Sequence, residues 1–185
     1  AKINITGGKD KVELEVGDTT IRGENDVEID DKVYDTKSSS PWAYENKWST
    51  GWEGVAKDDA FGYIPQLLGY SDASDKEPGG WIVVNKSTGE IQVVDAEFSD
   101  QDKENIRKKI RTNVDLIATD APFKRCFEPQ DEYFRKQLTP NKRLAMNCTF
   151  CNYTNTCWPD AKYRPQTGSK AQSPRHYWYA EYEDE

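Results

Sequence analysis

Apolar and polar side chains alternate with a period of two through the first forty residues. Lys11 to Val16 alternates and stops at Gly17-Asp18; Thr19 to Gly23, Val27 to Ile29 and Val33 to Asp35 follow, with a turn at Asp30-Asp31-Lys32. Alternation bounded by Gly and Asp predicts strands joined by tight turns, so this stretch reads as a three-strand meander through Lys37 after a polar lead over residues 1–9. At Ser38-Ser39-Ser40-Pro41 the pattern changes to a serine cap with proline at the first helical position. That predicts a short helix over residues 42–48, broken near Gly51. A second helix is expected over residues 57–70, where Pro65 implies a kink or a later start. Residues 72–80 read as a turn-rich loop. Residues 80–85 and 89–95 read as a hairpin. Ser99 or Asp100 then caps a long helix over 101–118 carrying Ile106, Ile110, Val114 and Ile117. Past Pro122 the periodicity fades into an irregular, cysteine-bearing segment, and residues 175–185 read as a docked strand or a tail.

Composition bounds this picture. The 185 residues suffice for a domain with its own core, and 12% aromatics with six tryptophans argue for packing rather than disorder. No run reaches transmembrane length and no secretion signal is visible, so the expected location is intracellular and cytoplasmic, with no membrane partner. A net charge of −8 argues against broad nonspecific adhesion to nucleic acid. Basic residues cluster over 103–111 and 135–143, where a solvated face is the plainer reading. His176 is the single histidine, which nearly excludes a histidine-rich metal site or a histidine-based triad.

Cys148, Cys151 and Cys157 are spaced C-x2-C-x5-C, with Cys126 upstream. Two cysteines separated by two residues can aim both sulfurs at one ion. Four thiolates suit a 4Fe–4S cluster or Zn²⁺, and spacing alone does not choose between them. A disulfide framework is the lesser reading in a chain large enough to need no staples.

The hairpin carries candidate chemistry of its own. Asp26 and Asp35 could converge on one divalent cation, and Lys37, two residues on, shares a strand face with Asp35. The plain alternative is a polar hairpin with a charged rim. Gln66 and Tyr70, four apart, share a helix face, which packing on a sheet would explain equally well.

Taken together, Gly23-Glu24-Asn25-Asp26, Asp35-Thr36-Lys37, Gln66-Leu67-Leu68-Gly69-Tyr70 and the C-x2-C-x5-C run resemble the motifs of the PD-(D/E)XK nuclease superfamily. The likeness is to its RecB-like exonuclease branch, including the phage-encoded and CRISPR-associated iron–sulfur exonucleases, and it covers residues 11–160. The resemblance implies an α/β, restriction-endonuclease-like core over residues 1–120, a mixed central sheet flanked by helices. It also implies a C-terminal segment over 121–185, packed on the core and metal-bound through Cys126, Cys148, Cys151 and Cys157. The implied activity is a Mg²⁺- or Mn²⁺-dependent deoxyribonuclease hydrolysing phosphodiester bonds at DNA ends, on single strands, in a bacterial or phage-infected cell. Asp26, Asp35 and the backbone carbonyl of Thr36 would hold the cation, Lys37 would assist the attacking water, and Gln66 and Tyr70 would fix the strand and the lysine. Ser38 and Ser39 would donate to phosphate, and Trp42 would stack on a base. The alternative is a catalytically incomplete DNA-binding or interaction module of the same fold. Two departures stand out. The family's Glu or His from a helical segment ahead of the first strands has no match in residues 1–10, and Cys126 follows the core rather than preceding it.

Overall fold

The structure, a computed structural model, describes residues 4–122 and 124–183. Two compact units divide the chain, Ala1–Ala121 and Pro122–Glu185.

Unit 1 is built on a five-stranded mixed sheet. Its strands are β1 (Ile5–Gly7), β4 (Val27–Ile29), β5 (Lys32–Ser39), β6 (Glu77–Asn85) and β7 (Ile91–Asp95), in the order β1-β4-β5-β6-β7. Only β5 and β6 run parallel, and a parallel pair needs a long crossover, here residues 40–76. Two sequence expectations change. The polar lead contains β1, which pairs with β4. The meander is two hairpins, because β2 (Lys11–Val16) and β3 (Thr19–Glu24) pair only with each other, and the chain leaves that ladder at Asn25-Asp26.

The crossover carries α1 (Pro41–Asn46), a 3₁₀ turn over Trp48–Thr50, α2 (Trp52–Lys57) and α3 (Tyr63–Ser74). Ser40 caps α1 by accepting from the Ala43 amide at 3.3 Å. The helix expected over 57–70 is displaced. Asp59 accepts from the Tyr63 and Ile64 amides at 2.6 and 3.0 Å and so fixes the start of α3, with Pro65 in the first turn where its missing N–H is harmless. The helix then runs to Ser74, so residues 72–80 are helix end and strand rather than loop. Val33, Val83, Val94 and Trp81 from the sheet pack against Trp48, Val55 and Leu67 from the crossover. Complete burial of Leu67 or Val83 is worth about 1.5–3 kcal/mol each. Finally α4 (Asp100–Ala118) starts with a capping box between Ser99 and Asp102, and its Arg107 pairs with Asp72 of α3 at 2.6 Å.

Unit 2 is more ordered than its sequence suggests. Strands β8 (Gln130–Phe134), β9 (Gln137–Arg143), β10 (Lys162–Pro165) and β11 (His176–Glu181) form an antiparallel sheet in the order β10-β11-β9-β8. The β8–β9 turn uses Arg135 and Lys136, both with positive φ (50° and 67°), where Asn-Gly would be the usual signal. Pro140 inside β9 further masks that strand. Two short helices, α5 (Met146–Thr149) and α6 (Thr154–Cys157), carry Cys148 and Cys157, with Cys151 in the link between them. Leu144, Ala145 and Cys148 form a small core with Trp158 and Trp178.

Candidate active site

The centre of the site lies on β5. Val33, Asp35, Lys37 and Ser39 alternate onto the sheet face that carries the core, which takes Asp35 to 3% exposure opposite Trp81 of β6. The Lys37 ammonium stands 2.6 Å from Asp35 Oδ2 as an ion pair, and beyond it this buried oxygen has no hydrogen-bond partner among the described residues. Burial pushes the Asp35 carboxyl above its usual range; Lys37 pulls the other way, and the neighbouring Asp26 adds to the rise.

Asp26 sits in the two-residue link between β3 and β4, not on a paired strand. The β4–β5 ladder ends at Val27 opposite Tyr34, and beyond it the Asp26 carboxylate takes the place of a strand carbonyl. Its Oδ2 accepts from the Thr36 amide and the Thr36 hydroxyl, both at 2.7 Å, and its Oδ1 accepts from Lys9 Nζ at 2.9 Å. Burial acts upward on this carboxyl, but the Thr36 hydroxyl and amide and Lys9 outweigh it, and the value falls to about 2.

Helix α3 supplies the other wall. Lys37 Nζ donates to Gln66 Oε1 at 2.9 Å, and Gln66 Nε2 donates to Tyr70 Oη at 3.3 Å. Tyr63, three residues before Gln66, lies under Lys37 with the ammonium 4.8 Å from its ring centroid. The Tyr63 ring in turn stacks on Trp48 at 5.6 Å, so the lysine rests on an aromatic floor. Gly23 belongs to the same packing: a Cβ there would come within 2.7 Å of Tyr70 Cε1, so only glycine lets the ring lie against β3. Beside Gln66 and Tyr70 a cavity of about 320 Å³ opens between the β2–β3 hairpin and α3, walled by Val12, Leu14, Ile21 and Ala73.

The structure thus brings Asp26, Asp35, Lys37, Gln66 and Tyr70 into one connected cluster. Three expected DNA contacts are not part of it. Ser38 falls on the opposite face of β5 by strand alternation. Ser39 shares the Asp35 face but is buried, and its hydroxyl donates to the Ser40 carbonyl at 3.1 Å. Trp42 stands 72% exposed on α1. Thr36 serves through its amide and hydroxyl on Asp26. Sequence reasoning passed over four residues. Tyr63 was legible, being three before Gln66 on one helix face. Lys9 and Asn25 became meaningful only with the β1–β2 loop in place: Asn25 is fully buried, accepts from the Asp10 amide at 2.9 Å, and donates to Glu28 at 2.9 Å. Glu28 is itself buried against Lys76.

Whether these residues fit a cation turns on their donors. Two carboxylates, one with a buried oxygen met only by the Lys37 ammonium, are the hard ligands that Mg²⁺ or Mn²⁺ prefers. Among the described residues no group of three or more His, Cys, Asp or Glu side chains is arranged to hold a metal, so protein carboxylates alone would leave most of such a shell to water. In unit 2 all four cysteines are free; Cys148 is buried, and Cys126 and Cys151 are exposed. Burial pushes the Cys148 thiol up, reinforced by Cys151, Cys157 and Cys126 nearby. Tyr153 N donates to Cys151 Sγ at 3.4 Å, a contact that suits a thiolate. The thiol chemistry therefore suits a soft metal, while the side-chain arrangement is not that of a closed site.

Comparisons with family models, with curated proteins and with solved structures find no match to this chain. Fold and geometry define a mixed α/β protein whose central sheet, flanked by helices, presents an acid–lysine–glutamine cluster. No helix among the described residues is long and apolar enough to cross a membrane.

Proposed function

We propose that unit 1 is a restriction-endonuclease-like core of the RecB-like type and a divalent-metal-dependent deoxyribonuclease acting at DNA ends. One observation carries this reading: buried Asp35, with no donor on Oδ2 beyond the Lys37 ammonium, stands beside a second carboxylate and against a lysine held by Gln66. Asp26 and Asp35 would hold Mg²⁺ or Mn²⁺. When bound, such a cation lowers the pKa of water and offsets charge building on the phosphate. The residues do the rest. Lys37, steered by Gln66 and Tyr63, presents a fixed positive charge to the phosphate and orients the attacking water. The Tyr63–Trp48 floor lowers the local dielectric and strengthens that charge. The four cysteines of unit 2 would hold a 4Fe–4S cluster or Zn²⁺, a reading supported by the C-x2-C-x5-C spacing with Cys126 upstream and by the chemistry of four free thiols.

The test is degradation of end-labelled single- and double-stranded DNA with Mg²⁺ or Mn²⁺. Lys37→Ala is expected to lose about 100- to 1000-fold in rate, the range for removing one electrostatic donor. Equal degradation by wild type and variant overturns the assignment. One observation favours a second reading, a DNA-binding module of the same fold that does not cleave: both Asp26 oxygens are already occupied by protein donors. It predicts salt-sensitive DNA binding, no cleavage, and binding unchanged by Asp35→Ala.

A further inference from the structure

Lys9 is placed by its surroundings, not by its own exposure. It takes the left-handed conformation (φ 59°) in the loop between β1 and β2. That loop is stapled to the Asn25-Asp26 link in both directions: the Lys9 amide donates to the Asn25 carbonyl at 3.1 Å, and the Asn25 amide donates to the Asp10 carbonyl at 3.1 Å. The Asn25 side chain adds a third tie by accepting from the Asp10 amide. The backbone of Lys9 is therefore fixed beside Asp26, while its side chain is 69% exposed and reaches back to Asp26 Oδ1 at 2.9 Å, with Glu24 Oε1 at 3.9 Å.

We propose that Lys9 is a tethered counter-ion that competes with the divalent cation for Asp26 and thereby sets the metal affinity of the site. This rests on the cation-site reading above. Asp26 Oδ2 is held by two short bonds from strand β5, whereas among the described residues the donor on Oδ1 is a solvent-exposed ammonium. Lys9 is the donor a cation displaces most easily, since an exposed ion pair is weak. Until it is displaced, it keeps two neighbouring carboxylates from repelling each other in the metal-free protein. Lys9 is a positioning residue, acting through Asp26.

Mn²⁺ binding, followed by electron paramagnetic resonance of the free ion, tests this without any activity assay. The full chain is titrated as wild type, Lys9→Met, Lys9→Arg and Asp35→Asn, and only binding lost in Asp35→Asn is counted. Lys9→Met is expected to bind Mn²⁺ roughly three- to tenfold more tightly, the worth of one weak ion pair expressed as an affinity. Lys9→Arg keeps the charge and should match wild type. Equal or weaker binding by Lys9→Met, in a chain that binds Mn²⁺ at this site, overturns the role of Lys9 and leaves the cation site standing. Absence of site-specific Mn²⁺ binding in every chain overturns the cation site itself and this inference with it.

Discussion

Asp35 in unit 1 and Glu132 in unit 2 are both carboxylates removed from water, at 3% and 0% exposure, and they are treated in opposite ways. Glu132 is saturated. Tyr179 donates to Oε1 at 2.7 Å, and Thr139 and Asn141 donate to Oε2 at 3.1 and 3.4 Å. Burial acts upward on its carboxyl, but hydrogen bonds from Tyr179, Thr167, Asn141 and Thr139 outweigh it and bring the value below 4.5. Asp35 has one lysine, a like-charged neighbour and an oxygen with no hydrogen bond beyond that lysine, and its carboxyl is pushed up. A buried charge that is fully hydrogen-bonded holds a fold together; one left short of partners stores an affinity for something else. On this contrast Glu132 is structural, tying β8, β9 and β11 into one sheet, and Asp35 is the carboxylate that suits the proposed site.

The sharpest way to break the contrast is the same isosteric change at both sites. Asp35→Asn should cost the proposed DNA cleavage about 100- to 1000-fold. The same variant should raise the melting temperature of the metal-free chain, because a carboxyl pushed above its usual range is destabilising when ionised. Glu132→Gln should do the reverse and destabilise unit 2 by about 2–3 kcal/mol, since the amide turns N–H groups toward donors that need an acceptor. Residue-resolved hydrogen exchange reads the two units separately. If Asp35→Asn loosens unit 1 as Glu132→Gln loosens unit 2, Asp35 is an ordinary structural carboxylate and the site reading falls.

These two sites also differ in how far the sequence announced them. The β5 cluster was legible because its parts are local in sequence. Asp35 and Lys37 share a strand face by period two, and Gln66 and Tyr70 share a helix face by period 3.6. What was not legible came from the chain's return. Lys9 reaches Asp26 only because β1 pairs with β4, a contact that a three-residue strand in a polar lead does not advertise. Tyr63 stands one turn before Gln66 on the same helix face and was legible in the same way as Tyr70. Unit 2 was nearly opaque, since the β8–β9 turn uses Arg-Lys and Glu132 finds its partners on two other strands and from Thr167. A lone Glu between Asp131 and Tyr133 carries no signal that it will be buried.

Acid should separate the units with a smaller effect. Glu132 has a depressed folded value, so its contribution to unit 2 is complete above its ordinary 4.5 and is lost as pH falls through the folded value. Asp35 has a raised folded value, so unit 1 gains stability as pH falls through that value toward 3.8. Asp26 reverses the trend only below 3.8, its contribution being lost between there and about 2. Opening free energies from hydrogen exchange, corrected for the pH dependence of intrinsic exchange, should therefore hold or rise in unit 1 over the range where those of unit 2 begin to drop. Parallel decline of both units would show that Asp35 is as well compensated as Glu132.

The finest test removes one phenolic oxygen from each region. Tyr179→Phe takes a 2.7 Å donor from a buried carboxylate and should cost about 1.5–3 kcal/mol, as for a hydrogen bond to a charged group. Tyr70→Phe takes a 3.3 Å contact from an amide and should fall within about 0.5 kcal/mol. The reason lies in what Tyr70 does with its ring. The ring lies against Gly23 and partly lines the core, and Phe keeps both contacts. Gln66 Oε1, not Nε2, holds Lys37, so that link also survives. Cleavage by Tyr70→Phe should stay within about threefold of wild type, a change worth well under 1 kcal/mol. A loss beyond tenfold would mean that the hydroxyl meets the substrate directly, and Tyr70 would then belong with Lys37 among the groups proposed to meet DNA rather than among those that hold Gln66 in place.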